Sequence, residues 1–423
     1  MFREYECDVL VVGAGPVGLV AALQLARQGV RIQIVDAEGG PAARSYALAL
    51  HSRSLELLDE LGLANDLIAK GRRIERCAFY RGANRRAELD LSKLDSKFPF
   101  VLVLSQQELE EALEEALGKY QVQVDWRNRV LEMEFDGKLA TGRIEKLRKA
   151  FTISEPPSHD WVVDHTFLTN ASYVIGADGS RSIVRHSVNL GWREMGKPER
   201  FAVIEVQAQA EAAASVQAVD EMRVTLNDKS TDVLWPMREG SFRFGFQLDR
   251  PRMFSQPRVK SRSEADLAGQ ASSVLSKRDL RDLILERFPW FKLPLGEVTW
   301  SVILRFERRL ANRFGCDNAW LAGDSAHLAS PVGVQSMNIG LREAHELARR
   351  IGSIVQGQAE QESLEEFNQQ ALAEWHSLFE GQERIESATG WTRGEAAKIL
   401  SCIPASDSNL CRLAGQIGIQ LKS

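Results

Sequence analysis

A chain of 423 residues is too long for one ordinary core and points to two or three domains. Its 44% hydrophobic and 26% charged residues are those of a soluble globular protein, and a net charge of -5 gives no reason to expect nucleic acid or an anionic membrane as partner. Five scattered cysteines (Cys7, Cys77, Cys316, Cys402, Cys411) lack metal-ligand spacing and fit a reduced, cytoplasmic compartment; no metal site is expected.

The N-terminal residues carry acids and no signal pattern. Val9 to Ala26 is apolar and long enough for a membrane span, but Gly13, Gly15, Pro16 and Gly18 would break a spanning helix. A buried strand, a tight turn and a buried helix explain it instead. Asp8 to Val12 reads as a central parallel strand, Leu19 to Gln28 as a helix stopped by Gly29, and Val30 to Asp36 as a second strand ending on an acid. This is the full strand–GxGxxG–helix–strand–acid unit of a dinucleotide fold. Gly13 allows the turn, Gly15 admits a pyrophosphate to the backbone, Gly18 lets helix pack on strand, and Asp36 is placed for a ribose diol. The unit leaves NAD and FAD open.

Arg44, among small residues, fits either a pyrophosphate clamp or a solvated loop. Residues 72–96 read as two short strands with a solvated basic tip at Arg81, Arg85 and Arg86. Gln106 opens a strongly patterned helix through Leu117, as a cap-region residue or as a side chain turned to a ligand. Tyr120 to Val130 and Phe151 to Thr169 read as strands, with Lys138 to Lys149 an exposed polar hairpin between them. Tyr173 to Arg185 is an apolar strand ending in Gly-Ala-Asp178-Gly, then a capped helix; Asp178 fits a turn residue or a ligand contact.

Phe201 to Leu248 alternates as half-buried strands, with Trp235, Phe242 and Phe244 expected as core. Arg262 to Phe288 reads as mostly helical, Gly296 to Phe306 as a strand, Leu364 to Ile385 as an amphipathic helix, and Glu395 to Leu421 as short helical pieces broken by Pro404. Between them, Ala319 to Ala322 is a strand end, Gly323-Asp324 a turn, and a small-residue loop leads to a long helix starting near Ser336 or Asn338. The free amides of that helix end suit an anion or an electron-rich ring carbonyl.

The Gly13–Gly18 unit, the Gly-Ala-Asp178-Gly-Ser-Arg segment and the Gly323-Asp324-Ser-Ala-His327 loop, in that order, resemble class A FAD-dependent aromatic monooxygenases of the para-hydroxybenzoate hydroxylase type. The resemblance runs from Asp8 to about Leu347. It implies an α/β fold with a Rossmann-like FAD-binding domain (1–71, 97–185 and 300–358), an inserted β-rich substrate-binding domain (72–96 and 186–299) and a C-terminal helical region (359–423). It implies a cofactor site of Gly13, Gly15, Pro16, Val17, Gly18, Asp36, Ala37, Arg44, Gln106 (with the Gln-x-x-Leu-Glu pattern), Asp178, Gly323, Asp324, Pro331, Gly333, Ser336, Met337 and Asn338, with Pro331 near the reactive ring. It further implies that NADPH or NADH reduces the flavin, that dioxygen adds to give a flavin hydroperoxide, and that one oxygen passes to an aromatic or conjugated small molecule. No catalytic side chain is then required, and His327 is expected to pack under the loop; the other histidines form no constellation. A monomer or homodimer is expected, without the thioredoxin-like extension of some relatives.

Two departures stand out. Where family members commonly carry glycine, this chain has Val334 and Ser336, which would be strained if both positions need positive φ. The family aspartate on the following helix is Glu343. The alternatives are another flavoenzyme of this fold, such as a reductase, epoxidase or halogenase, or a flavin-binding protein without turnover. The halogenase tryptophan signature and a redox cysteine pair are both missing from the sequence.

Overall fold

The computed structural model describes residues 3–42, 49–152, 158–208, 220–248, 277–292, 294–381 and 383–422. The apolar N-terminal run divides into strand Arg3–Val12, a turn, and helix Pro16–Arg27. Proline suits the first helical position because the amide it lacks would have no partner there. Strand Ile32–Asp36 returns parallel to the first, with Val12 opposite Val35. Val9, Leu10, Val11 and Ile34 are fully buried. Burial on both faces of a parallel sheet is why these strands read as unbroken apolar runs.

The first sheet follows the path Gly315–Cys316, Ala319–Leu321, Ser158–Gly176, Arg3–Val12, Ile32–Asp36, Val124–Trp126. Its pairings from Ala319–Leu321 onward are parallel. Strands Ala140–Thr152 and Asn128–Phe135 extend it as an antiparallel layer on Ser158–Gly176. This corrects the reading of Lys138 to Lys149 as an exposed excursion, since Ala140–Thr152 is paired on both sides. Ala140 and Ile144 are buried, while Arg143 faces out to Glu132. One wet face suffices to make an antiparallel strand look polar in sequence.

The second sheet runs His327–Leu328, Leu295–Ala311, Trp192–Ala208, Ser241–Gln247, Thr231–Pro236, Glu221–Leu226, Arg76–Arg81, Asn84–Asp90. Successive side chains point to opposite faces. One face packs Phe201, Val203, Val233 and Trp235 against Ile399, Ile403 and Leu413 near the C-terminus. The other packs Ala202, Ile204, Phe242, Phe244 and Phe246 against Leu280, Leu283 and Phe288, the first two on helix Lys277–Arg287. Trp235, Phe242 and Phe244 are thus core, on opposite faces of the sheet. The division expected at 299/300 falls inside strand Leu295–Ala311, and much of the helix expected over 262–288 lies outside the described residues. Arg81, Arg85 and Arg86 are exposed near the tip of the hairpin as expected, and Arg81 and Arg85 also pair with Asp228 and Glu221.

Helix Gln335–Val355 lies against helix Pro16–Arg27, and helix Glu362–Phe379 follows it. The C-terminal region adds helices Ala396–Leu400 and Asp407–Gln416, together with a strand pair, Ile385–Ala388 and Ile419–Leu421. Among the described residues no helix is long and apolar enough to cross a membrane.

Candidate functional site

The three glycine-containing motifs meet at one edge of the first sheet. Val12 is level with Gly176, and Gly176 with Leu321, so the three strands end together at their carboxyl ends. The turns that follow are tied by Ala177 N–H donating to Val12 O at 2.8 Å and Ala322 N–H donating to Gly176 O at 3.0 Å. In open α/β sheets this edge is where ligands bind.

At the first turn Gly13 has φ 102°, and a side chain there would collide with Ala177. A Cβ on Gly18 would collide with Gly13 O. Gly15 differs, for the nearest atom to its added Cβ would be Glu110 Oε1 at 4.0 Å. That glycine therefore faces room. It is also the N-cap of helix Pro16–Arg27, whose first turn carries no acid and no side-chain cap. Asp36 stands at the end of the neighbouring strand and accepts from Ala14 N–H (2.6 Å) and Glu38 N–H (2.8 Å); Ala37 beside it is exposed. Each carboxylate oxygen keeps a second lone pair.

Gln106 turns its amide onto Glu110 (2.6 Å), and Glu110 also accepts from Ala42 N–H at 2.6 Å. Burial pushes the Glu110 carboxyl up from the usual glutamate range. Its place in the Gln-x-x-Leu-Glu pattern was visible in sequence, but nothing there distinguished it from its solvated helix neighbours. Ser182 caps helix Ile183–Ser187 through Arg185 N–H at 3.0 Å, and Asp178 accepts from Ile183 N–H at 2.7 Å. Asp178 as a whole is half-buried, yet its Oδ1 is sealed from solvent without a partner, and desolvation raises its pKa. Arg185 bridges the second and third motifs, donating to Ser180 O (2.9 Å) and Ser325 O (2.7 Å).

The first and third motifs touch directly. Gly323 has φ 64°, and a Cβ there would lie 2.9 Å from Val17 Cγ2. A Cβ on Gly340 would lie 3.0 Å from Gly323 Cα. After Asp324 the chain passes half-buried Pro331 and enters helix Gln335–Val355 through Val334, at φ 52° and ψ 34°. The expected strain thus falls on Val334 alone, because Ser336 is already helical. The first turn of this helix also has no acid and no side-chain cap. Met337 is partly buried between the first core and the C-terminal one.

Asn338 holds the left-handed residue in place. Its side chain donates to Val334 O (2.7 Å) and Ala49 O (2.9 Å), and accepts from His51 N–H (2.7 Å) and Ser54 Oγ (2.7 Å). His51 is fully buried, with Nε2 2.9 Å from Gly333 O, and burial drives its pKa down to about 3. Sequence reading left His51 without a constellation; its partners, the Gly333 carbonyl and the Asn338 side chain, lie far along the chain, which residue spacing does not reveal. Gly333 in turn packs on the C-terminal segment, where an added Cβ would lie 2.7 Å from Ser401 O. Arg44 lies outside the described residues.

His327 packs under the loop as expected, stacked on Trp375 with ring centroids 3.8 Å apart. Its Nε2 lies 2.7 Å from Glu343 Oε2, and Glu343 also accepts from Trp375 Nε1 (2.6 Å) and Gly323 N–H (3.1 Å). Against a large desolvation cost, His327 and these donors hold the Glu343 carboxyl below its ordinary pKa.

Residues 6–380 match a family model described as an FAD binding domain. The chain belongs to this FAD-binding domain family. The three-motif resemblance to class A FAD-dependent aromatic monooxygenases agrees with that membership. Similar proteins include 6-methylpretetramide 4-monooxygenase of Streptomyces rimosus, 30% identical over 362 residues, covering 85% of this chain and 58% of that protein. Pentachlorophenol 4-monooxygenase of Sphingobium chlorophenolicum is 28% identical over 383 residues, covering 90% of this chain and 64% of that one. The chain thus spans roughly three fifths of the length of these relatives. The crystal structure of p-nitrophenol 4-monooxygenase from Pseudomonas putida DLL-E4 has the same fold, with a TM-score of 0.72, 22% identity, and coverage of 98% of this chain and 94% of that one.

Proposed function

We propose that this FAD-binding chain is a monooxygenase that uses NADPH or NADH and dioxygen to hydroxylate an aromatic or conjugated small molecule. The observation that carries the reading is the contact of Val17 with Gly323 and Gly340, which brings motifs from the two ends of the chain together at the carboxyl end of the sheet. The relatives' names, pentachlorophenol and para-nitrophenol 4-monooxygenases among them, support the aromatic substrate class.

The residues fit FAD. Open space at Gly15 and the uncapped amides behind Pro16 and Val17 suit a pyrophosphate, and the spare lone pairs of Asp36 suit the adenosine ribose. In this reading Asp324 binds the ribityl chain. The loop from Pro331 through Gly333 to Met337 and Asn338 flanks the ring, where helix amides stabilise negative charge on it. Gln106 and Asp178 complete the site, with Arg44 as a pyrophosphate contact. Bound FAD supplies electron transfer from the nicotinamide and activation of dioxygen; the protein orients the ring and excludes water.

The test is direct. Purified protein is expected to take up FAD and turn yellow, and a panel of phenols is expected to stimulate NADH or NADPH oxidation with an oxygenated product visible by mass spectrometry. Flavin uptake with no stimulation and no oxygenated product across the panel would contradict the hydroxylase reading.

A further inference from the structure

Ser336, where the family commonly has glycine, places a hydroxyl between two groups that glycine would leave apart. Its Oγ lies 3.1 Å from Asp324 Oδ1 and 3.3 Å from His327 Nδ1. Beyond His327 the contacts run to Glu343 and end at Trp375 Nε1 and Gly323 N–H. The imidazole is fully buried and Glu343 nearly so, so no bulk water relieves a missing hydrogen.

Counting hydrogens limits what this chain of contacts can do. The Glu343 carboxylate only accepts, so its short contact requires a hydrogen on His327 Nε2. Ser336 has one hydrogen to give, and the Asp324 carboxylate also only accepts. If His327 Nδ1 is bare, it competes with Asp324 for that hydrogen. If Nδ1 carries a proton, it donates to the Ser336 oxygen and the hydroxyl turns to Asp324 alone.

We propose that Ser336 is a positioning residue for Asp324, its single hydroxyl hydrogen directed onto the carboxylate. The proposal rests on the reading of Asp324 as a cofactor contact. Among the described residues, the charged groups in contact with His327 or linked to it through Ser336 are Glu343 on helix Gln335–Val355 and Asp324 in its own turn. Helix Glu362–Phe379 presents the uncharged Trp375 ring.

The experiment is FAD affinity by fluorescence titration at one fixed pH. It compares wild type, Ser336→Ala, Ser336→Thr and Asp324→Ala. Ser336→Ala is expected to weaken binding about three- to tenfold, and Ser336→Thr, which keeps the hydroxyl, to restore it. If Asp324→Ala weakens FAD while Ser336→Ala keeps the wild-type affinity, the role of Ser336 is overturned and the site stands. If Asp324→Ala leaves FAD affinity unchanged, the reading beneath the proposal fails.

Discussion

Val17, at the start of the chain's first helix, and Gly323, in its last glycine motif, are packed so closely that a Cβ on the glycine would stand 2.9 Å from the valine methyl. Gly323 also has φ 64°, where an L side chain is strained. Gly323→Ala is therefore expected to cost about 2–4 kcal/mol in denaturant unfolding and to weaken FAD retention. A variant as stable as wild type would mean that the two motifs are not held this tightly.

Asn338 makes four buried hydrogen bonds that tie Val334 to Ala49, His51 and Ser54. Asn338→Ala leaves those partners unsatisfied and releases the left-handed residue. Stability is expected to fall by about 3 kcal/mol, with poorer flavin binding. Equilibrium unfolding and FAD titration check both.

His51 gives a pH dependence whose sign is fixed. Its pKa is about 3 in the folded chain, against an ordinary value of about 6.5 when unfolded. The unfolded chain binds the extra proton, so this contribution is complete above about pH 6.5 and is lost as pH falls toward 3, at about 1.4 kcal/mol per pH unit. Asp232 works in the opposite direction, since burial raises its pKa to about 7. The informative quantity is thus the difference between wild type and His51→Gln measured at several pH values. That difference should shrink on acidification; a constant difference would contradict the buried neutral imidazole.

Gly333 touches the carbonyls of Ser401 and Ile403, at 2.7 and 3.0 Å from an added Cβ. Gln335 Nε2 reaches the Ala405 carbonyl at 3.3 Å. Gly333→Ala is expected to push the loop off this platform, weakening FAD binding with a smaller loss of global stability than Gly323→Ala. Equal FAD affinity in Gly333→Ala and wild type would show that the C-terminal segment does not set the loop.

The dinucleotide unit was legible because its requirements are local: a buried strand, glycines at fixed spacing, and an acid closing the next strand at Asp36. The turns at Asp178 and Gly323 were legible for the same reason. Strand Ala140–Thr152 was misread because lysines and arginines on its wet face mask the buried Ala140 and Ile144. The support under the loop was not legible at all. It consists of His51, the Ser401 and Ile403 carbonyls and the Asn338 amide, which meet only in the folded chain. Val334 was rightly singled out, whereas Ser336 proved helical, because the helix begins one residue before it.

The central claim is that motifs from both ends of the chain form one flavin site, and FAD titration of three proteins tests it most directly. Wild type is expected to bind equimolar FAD and show flavin absorbance, while Asp36→Ala near the N-terminus and Asp324→Ala near the far end each weaken binding about tenfold or more. A wild-type chain that takes up no FAD, or one whose affinity ignores both substitutions, would contradict the account.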